Sequence, residues 1–301
     1  MDMVKAKNKN LANKKSVADI VFTVTMITLL TVFTIIFVII FVWGMLTSFK
    51  TDWDFMFNKI GLPAEWTFEN YSIVWRFMFV WINNGRDQIF IELMYLNSIL
   101  YAAGGGVLLA IFPCVVAYLT VKFPCAFSKA VTDFVIVAMI IPIVGSAPSE
   151  LQVLQTLGLY DHIWGLWIMK ASFLGMYFLV FQGVFRGIPQ SITEAAKIDG
   201  AGNMRIFLQM MLPLVRTTFL LIFLLQFIGL WNDYQTPLLY LPNNPTIAQG
   251  LYSFNFSTSN EYSTVPAKVA GAMFVLLPIL IVFMIFKNKL MSSLTLGGEK
   301  E

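Results

Sequence analysis

The chain of 301 residues is 58% hydrophobic and only 12% charged, with a formal net charge of +3. Soluble domains use roughly 45–50% apolar and about 25% charged residues, so a water-soluble globular domain is excluded and a chain that folds in lipid is expected. Its organisation is counted in spans of about 20 apolar residues, enough to cross roughly 30 Å of hydrocarbon, and six such spans make the expected fold class all-α, a polytopic membrane protein.

In chain order, a polar leader, residues 1–19, carries Lys5, Lys7, Lys9, Lys14 and Lys15 and runs into the first span at 20–46. The apolar core of that span is too long for a cleaved signal peptide and lacks a small-residue cleavage site, so it is read as a retained anchor. The segment 81–94, "WINNGRDQIFIELM", reads as an insertion or a local helix outside the membrane. The second span, 95–119, holds Gly104, Gly105, Gly106 and Pro113, which suit close helix approach and a kink. Cys114 lies in that span and Cys125 in the short basic loop after it, so the two thiols do not read as an extracellular disulfide. Pro142 and Pro148 mark the third span, 131–148, and the only histidine, His162, sits in the loop before the fourth, 163–185. Within the spans, Lys170 is expected to snorkel outward, and Gln182 and Gln226 to make hydrogen bonds that pack the bundle. The fifth span, 214–233, ends in "WNDYQ". The sixth, 268–286, contains Pro278 and leads into the tail, residues 287–301. Together, residues 20–286 form the expected transmembrane domain, with a loop at 186–213.

Basic residues resist translocation, so their distribution orients the chain. The leader, the 120–130 loop, the loop with Arg186, Lys197, Arg205 and Arg216, and the tail sum to fourteen basic residues; the alternate segments hold five, Lys50, Lys59, Arg76, Arg86 and Lys268. Both termini and the 186–213 loop are therefore expected in the cytoplasm.

That loop reads "EAAKIDGAGNMRIFLQMMLP" from Glu194 to Pro213. Ser191 and Glu194 fit an S-x-x-E capping box, which predicts a helix starting near Ile192. The cluster Asp199, Gly200, Ala201, Gly202, Asn203 predicts a turn, with a second helical piece over Met204–Leu212. The first helix is about eight residues, and helices below roughly 12–15 residues are marginal alone, so something must hold it. Ala195 and Ala196 let a partner surface approach closely while Glu194, Lys197 and Asp199 orient it. An interfacial helix lying on the bilayer is the alternative, but its apolar face is small.

The pattern E-A-A, three residues, G, nine residues, I-x-L-P is the signature loop of ABC importer permeases, and Glu194, Ala195, Ala196, Gly200, Leu212 and Pro213 match it, with Met210 in the place of Ile. "SFK" at 48–50, "NS" at 97–98, "AYLTVKFP" at 117–124, "IP" at 141–142, "LGLYDHIWGL" at 157–166, "GIPQSITEAAKIDGAG" at 187–202, "WNDYQTPLLYL" at 231–241 and "LTLGG" at 294–298 follow in the family's order. The chain thus resembles the smaller membrane subunit of maltose-type carbohydrate importers. The resemblance implies the type I importer permease fold in a bacterial or archaeal cell membrane. It also implies a second permease, two cytoplasmic ATPases that hold ATP and Mg, and an extracytoplasmic solute-binding protein that delivers a carbohydrate. Glu194, Ala195, Ala196, Lys197, Asp199 and Gly200 would then form the coupling helix seated in an ATPase.

No Gly-Lys dipeptide occurs, so there is no G-x-x-x-x-G-K-[ST] phosphate loop, and one histidine excludes multi-histidine metal sites. Neither an enzyme nor a resident cofactor is expected, nor a nucleic-acid partner. Asn232, Asp233 and Tyr234 are the candidate substrate-path residues, because polar groups beside an aromatic at the outer end of a span suit a sugar; a polar helix end in an interfacial aromatic belt is the competing reading. A secondary transporter would usually carry ionisable residues deep in several spans, and few occur here; a membrane scaffold would need no path at all.

Overall fold

The computed structural model describes residues 16–141, 145–256 and 262–295, with side chains as far as Lys287. It divides into two compact units, residues 1–71 with 264–270, and residues 72–263 with 271–301.

In the first unit, α1 (Val17–Ser48) is an apolar helix of 32 residues without proline. It starts at a reciprocal cap: the Ser16 hydroxyl accepts from the Ala18 N–H at 3.3 Å, and Asp19 accepts from the Ser16 N–H at 3.1 Å. Thr25, Thr31 and Thr34 return their hydroxyls to carbonyls one turn back at 2.8–2.9 Å, so these polar groups are satisfied within the helix. The chain then folds back around Ser48, Phe49 and Lys50. The Asn70 amide donates to the carbonyls of Ser48 at 2.9 Å and Lys50 at 2.7 Å, while Ser48 shares a 2.7 Å hydrogen bond with the Tyr71 hydroxyl. The Phe49 ring packs against Trp66, Phe68 and Tyr71. Lys50, 1% exposed, donates its ammonium to the Asn58 carbonyl, which offsets the cost of burying that charge. A short helix, α2 (Asp52–Phe57), is capped by Thr51, and α3 (Glu69–Phe77) starts in this unit and continues into the second from Ser72.

In the second unit the segment expected as an insertion or a local helix is a β-hairpin running into a long helix. Strands β1 (Phe79–Ile82) and β2 (Asp87–Phe90) pair antiparallel from Phe79↔Phe90 to Ile82↔Asp87. Asn83, Asn84 and Gly85 take φ of 51°, 57° and 84°, the left-handed turn that Asn and Gly tolerate best. The turn is tied down: the Asn83 N–H donates to the Asn243 side chain at 3.0 Å, and the Asn243 amide donates to Asp161 at 2.7 Å.

Helix α4 (Ile91–Lys122) is the centre of the unit. Its three glycines do what their spacing predicts. A Cβ on Gly104 would stand 2.2 Å from the Trp167 ring, one on Gly105 2.7 Å from Leu230, and one on Gly106 3.3 Å from Phe223. Helix α5 (Ala126–Ile140) stops where Ile141 turns extended, the conformation imposed on a residue before proline, here Pro142. It is followed by α6 (Ala147–Thr156). The expected span 163–185 is likewise not one helix: α7 (Ile163–Lys170) and α8 (Met176–Gly187) are separated at residues 171–175, where Gly175 adopts φ 142°.

Helix α9 (Gln190–Ile198) precedes α10 (Asn203–Leu214), which widens by a π turn over Phe207–Met211. The Leu212 N–H reaches five residues back to the Phe207 carbonyl. Helix α11 (Arg216–Trp231) leaves α10 at a bend of 76°. The remaining helices are α12 (Gln235–Tyr240), α13 (Ile247–Phe256) and α14 (Val265–Thr295). Among the described residues, α1, α4 and α14 are each long and apolar enough to cross a membrane, and α10 with α11 makes a fourth candidate if the bent pair is one span.

Candidate functional site: a docking loop and a polar cluster

Phe178, Phe181 and Phe185 on α8 form a buried cluster with Cys114 and Tyr118 on α4, Val135 on α5 and Ile206 and Met211 on α10. Gln182 joins the same elements by polar contacts, donating to Thr132 at 2.9 Å and Thr120 at 3.4 Å while accepting from Arg186 at 2.9 Å. The bundle-packing hydrogen bonds expected of this glutamine are therefore present.

On this base sits α9. It begins two residues earlier than the expected capping box places it, because Pro189, with φ −55° and ψ 138°, makes the entry turn. Ser191 lies inside the helix, no side chain caps the start, and the predicted Ser191–Glu194 box is not formed. The far end is as the glycine cluster predicts. Gly200 takes φ 78°, its N–H donates to the Lys197 carbonyl at 3.0 Å, and the Ala201 N–H donates to the Ala196 carbonyl at 2.9 Å. This pair of reversed bonds is the left-handed helix stop that glycine makes at least cost.

The helix has two faces. Thr193 and Ala196 are buried, Ala196 within the cluster below, whereas Glu194, Ala195, Lys197, Asp199 and Gly200 are exposed. Of the two alanines expected to admit a partner, only Ala195 is open; Ala196 is taken up by the chain's own core. Ile198 is 87% exposed, an apolar side chain left uncovered at the tip. The Lys197 ammonium stands 5.9 Å from the Phe123 ring. Between α9 and α10 lies a notch of about 200 Å³, lined by Ala196, Asp199, Ala201, Arg205, Gln209 and Met210. The arrangement offers charges, an open backbone turn and one apolar contact to another protein, and holds no nucleophile with a paired base.

The polar cluster lies at the junction of α7, α11 and α12. Asp233 accepts from the Lys170 ammonium at 3.0 Å, the Tyr101 hydroxyl at 3.0 Å and the Thr236 N–H at 3.0 Å; Lys170 also donates to the Thr236 hydroxyl at 3.1 Å. Lys170 thus does not snorkel outward as expected, because a carboxylate within the protein offers it a stronger partner. The three substrate-path candidates are placed differently. Asp233 is engaged by its own chain, Asn232 is exposed and donates back to the Ile228 carbonyl at 2.9 Å, and Tyr234 stacks on Tyr252 with centroids 4.6 Å apart. Tyr101, Thr236 and Tyr252 are the members that sequence reasoning missed; Tyr101 is 132 residues from Asp233, and no local pattern signals that pairing.

The chain is similar in sequence to permease proteins of sugar uptake systems and in fold to a bacterial ABC transporter. No family model matches the chain. Curated relatives do: the chain is 26% identical over 261 residues to the diacetylchitobiose uptake system permease protein NgcG of Streptomyces coelicolor, covering 85% of this chain and 82% of the relative. It is 29% identical over 230 residues to the maltodextrin transport system permease protein MdxG of Bacillus subtilis, covering 73% and 81%. Its fold matches the crystal structure of a bacterial ABC transporter involved in the import of the acidic polysaccharide alginate, with a TM-score of 0.71 and 23% identity over 91% of this chain and 98% of that one.

Proposed function

We propose that the chain is one of two permease subunits of an ATP-driven carbohydrate importer. The observation that carries this reading is the two-faced helix α9, rooted in the chain's own core through Thr193 and Ala196 and presenting Glu194, Ala195, Lys197, Asp199 and Gly200 outward. An isolated helix of this length is marginal in water, and its free face suits a cleft in an ATPase. Two copies of that ATPase hold ATP and Mg, and an extracytoplasmic binding protein delivers the sugar. The chain crosses the membrane six times, by α1, α4, the stretch from α5 to residue 148, α7 with α8, α11 and α14. Both termini lie in the cytoplasm, as the fourteen-to-five asymmetry of basic residues supports.

ATP binding closes the ATPase pair, α9 moves with it, and α10 passes the movement to α11. The equilibrium between inward-open and outward-open states shifts only as far as the ATPase contacts differ between them. The reading is tested by reconstituting the chain with the products of its neighbouring genes in vesicles. ATP-driven uptake is measured with diacetylchitobiose, melibiose and maltodextrins as trial substrates. Uptake by this chain alone, without ATP or the ATPase, would overturn it.

A further inference from the structure

We infer that the break between α7 and α8, residues 171–175, lines the path of the transported molecule and recognises a neutral carbohydrate; this rests on the permease reading above. Helix α7 has 8 residues and α8 has 12, about 12 Å and 18 Å at ~1.5 Å per residue. The first starts at the outer loop and the second ends at the coupling loop, so the break falls inside the roughly 30 Å of hydrocarbon. Non-helical backbone at that depth is tolerated only where it is buried in protein or faces a water-filled cavity.

The break is not buried. Ser172 and Leu174 are exposed, and among the described residues the N–H groups of Ser172, Phe173 and Gly175 have no partner. The one local bond runs from the Leu174 N–H to the Ser172 hydroxyl at 3.0 Å. The segment opens on a cleft of about 70 Å³ walled by Leu109 and Pro113 of α4, Phe173, Tyr177 and Gln226. Gln226 makes no hydrogen bond to another described residue, although an amide in lipid would need one.

The lining holds donors, acceptors and three aromatic rings, Phe173, Tyr177 and Phe178, but no charged side chain. Lys170, at the end of α7, is neutralised by Asp233 at 3.0 Å. Amide, hydroxyl and free backbone groups beside rings match the hydroxyls and C–H faces of an uncharged sugar; an acidic sugar would find no counter-charge. A cleft of about 70 Å³ has room for about two waters at roughly 30 Å³ each. This chain therefore supplies one wall, and the second permease the other.

The test is thiol labelling of the assembled transporter in a Cys125→Ser background, which leaves only the buried Cys114 as an internal control. Ser172→Cys and, separately, Leu174→Cys are treated with a neutral glucose-linked methanethiosulfonate and with an anionic sulfonate analogue. The introduced thiols are expected to react with the glucose reagent at least about tenfold faster than Cys114, and with the sulfonate more slowly than with the glucose reagent. Reaction at the Cys114 rate for both variants overturns the inference, and preferential reaction with the sulfonate overturns its choice of a neutral sugar. Labelling needs neither ATP nor uptake, so failure here leaves the permease reading to its own experiment.

Discussion

Replacing Gly200 by asparagine, alanine and valine in turn isolates the conformational demand of the proposed coupling loop. At φ 78° no heavy atom lies within 4 Å of the position a Cβ would take, so a side chain there meets no neighbour and its cost is local backbone strain. A left-handed residue with a Cβ costs about 1–2 kcal/mol; asparagine pays least, and valine, branched at Cβ, pays most. Because α9 is only nine residues long, little of that penalty is absorbed by helical cooperativity. It falls on the equilibrium between the closed and the open turn, a shift of about 5–30-fold. Sugar-stimulated ATP hydrolysis by the assembled transporter should decline in the order Gly, Asn, Ala, Val. The thermal unfolding midpoint in detergent should barely move, since the turn is exposed. Wild-type coupling in Gly200→Val would refute the reasoning, and so would equal losses in all three variants.

Gly104→Ala puts a methyl 2.2 Å from the Trp167 ring and should destabilise the chain by about 1–3 kcal/mol, read as a lower unfolding midpoint; an unchanged midpoint would show that Trp167 yields freely. Lys170→Met and Asp233→Asn should each cost more than half of what the double variant costs. A double-mutant cycle should give a coupling of about 1 kcal/mol, modest because both side chains retain some solvent contact. Cys125, exposed before α5, accepts hydrogen bonds led by the Ser128 N–H, which lower its thiol pKa. Its labelling by maleimide should rise at a lower pH than that of a free cysteine, and a membrane-impermeant maleimide should reach it only from the cytoplasmic side. Labelling from the outer side would reverse the orientation proposed above.

Hydropathy made α1, α4 and α14 legible, because each is a run of apolar residues without an internal stop strong enough to end it; Pro113 and Pro278 are carried inside two of them. The same measure hid the breaks. "ASFLG" at 171–175 is nearly as apolar as its flanks, so a window over 163–185 cannot see that the helix ends at Lys170. The hairpin was hidden for a related reason: "FVWI" and "DQIF" are too short for a search tuned to spans, although Asn-Asn-Gly between them is a strong turn signal. In the 186–213 loop the glycine stop was readable, since few other residues accept φ near 78°. The start was misread because an S-x-x-E pattern carries no register of its own, and Pro189 set the entry instead. The partner of Lys170 was beyond reach, since Asp233 lies 63 residues away and meets it only once α7 and α11 are in place.

Helix α9 divides its residues between two masters. Thr193 and Ala196 answer to the membrane body beneath, whereas Glu194, Lys197 and Ile198 touch nothing in that buried core. On the coupling proposed above, a change on the outer side would alter which ATPase the transporter accepts without moving a spanning helix. On that proposal the pairing of ATPase and permease is a separately adjustable trait, written in a few side chains at the tip of one short helix.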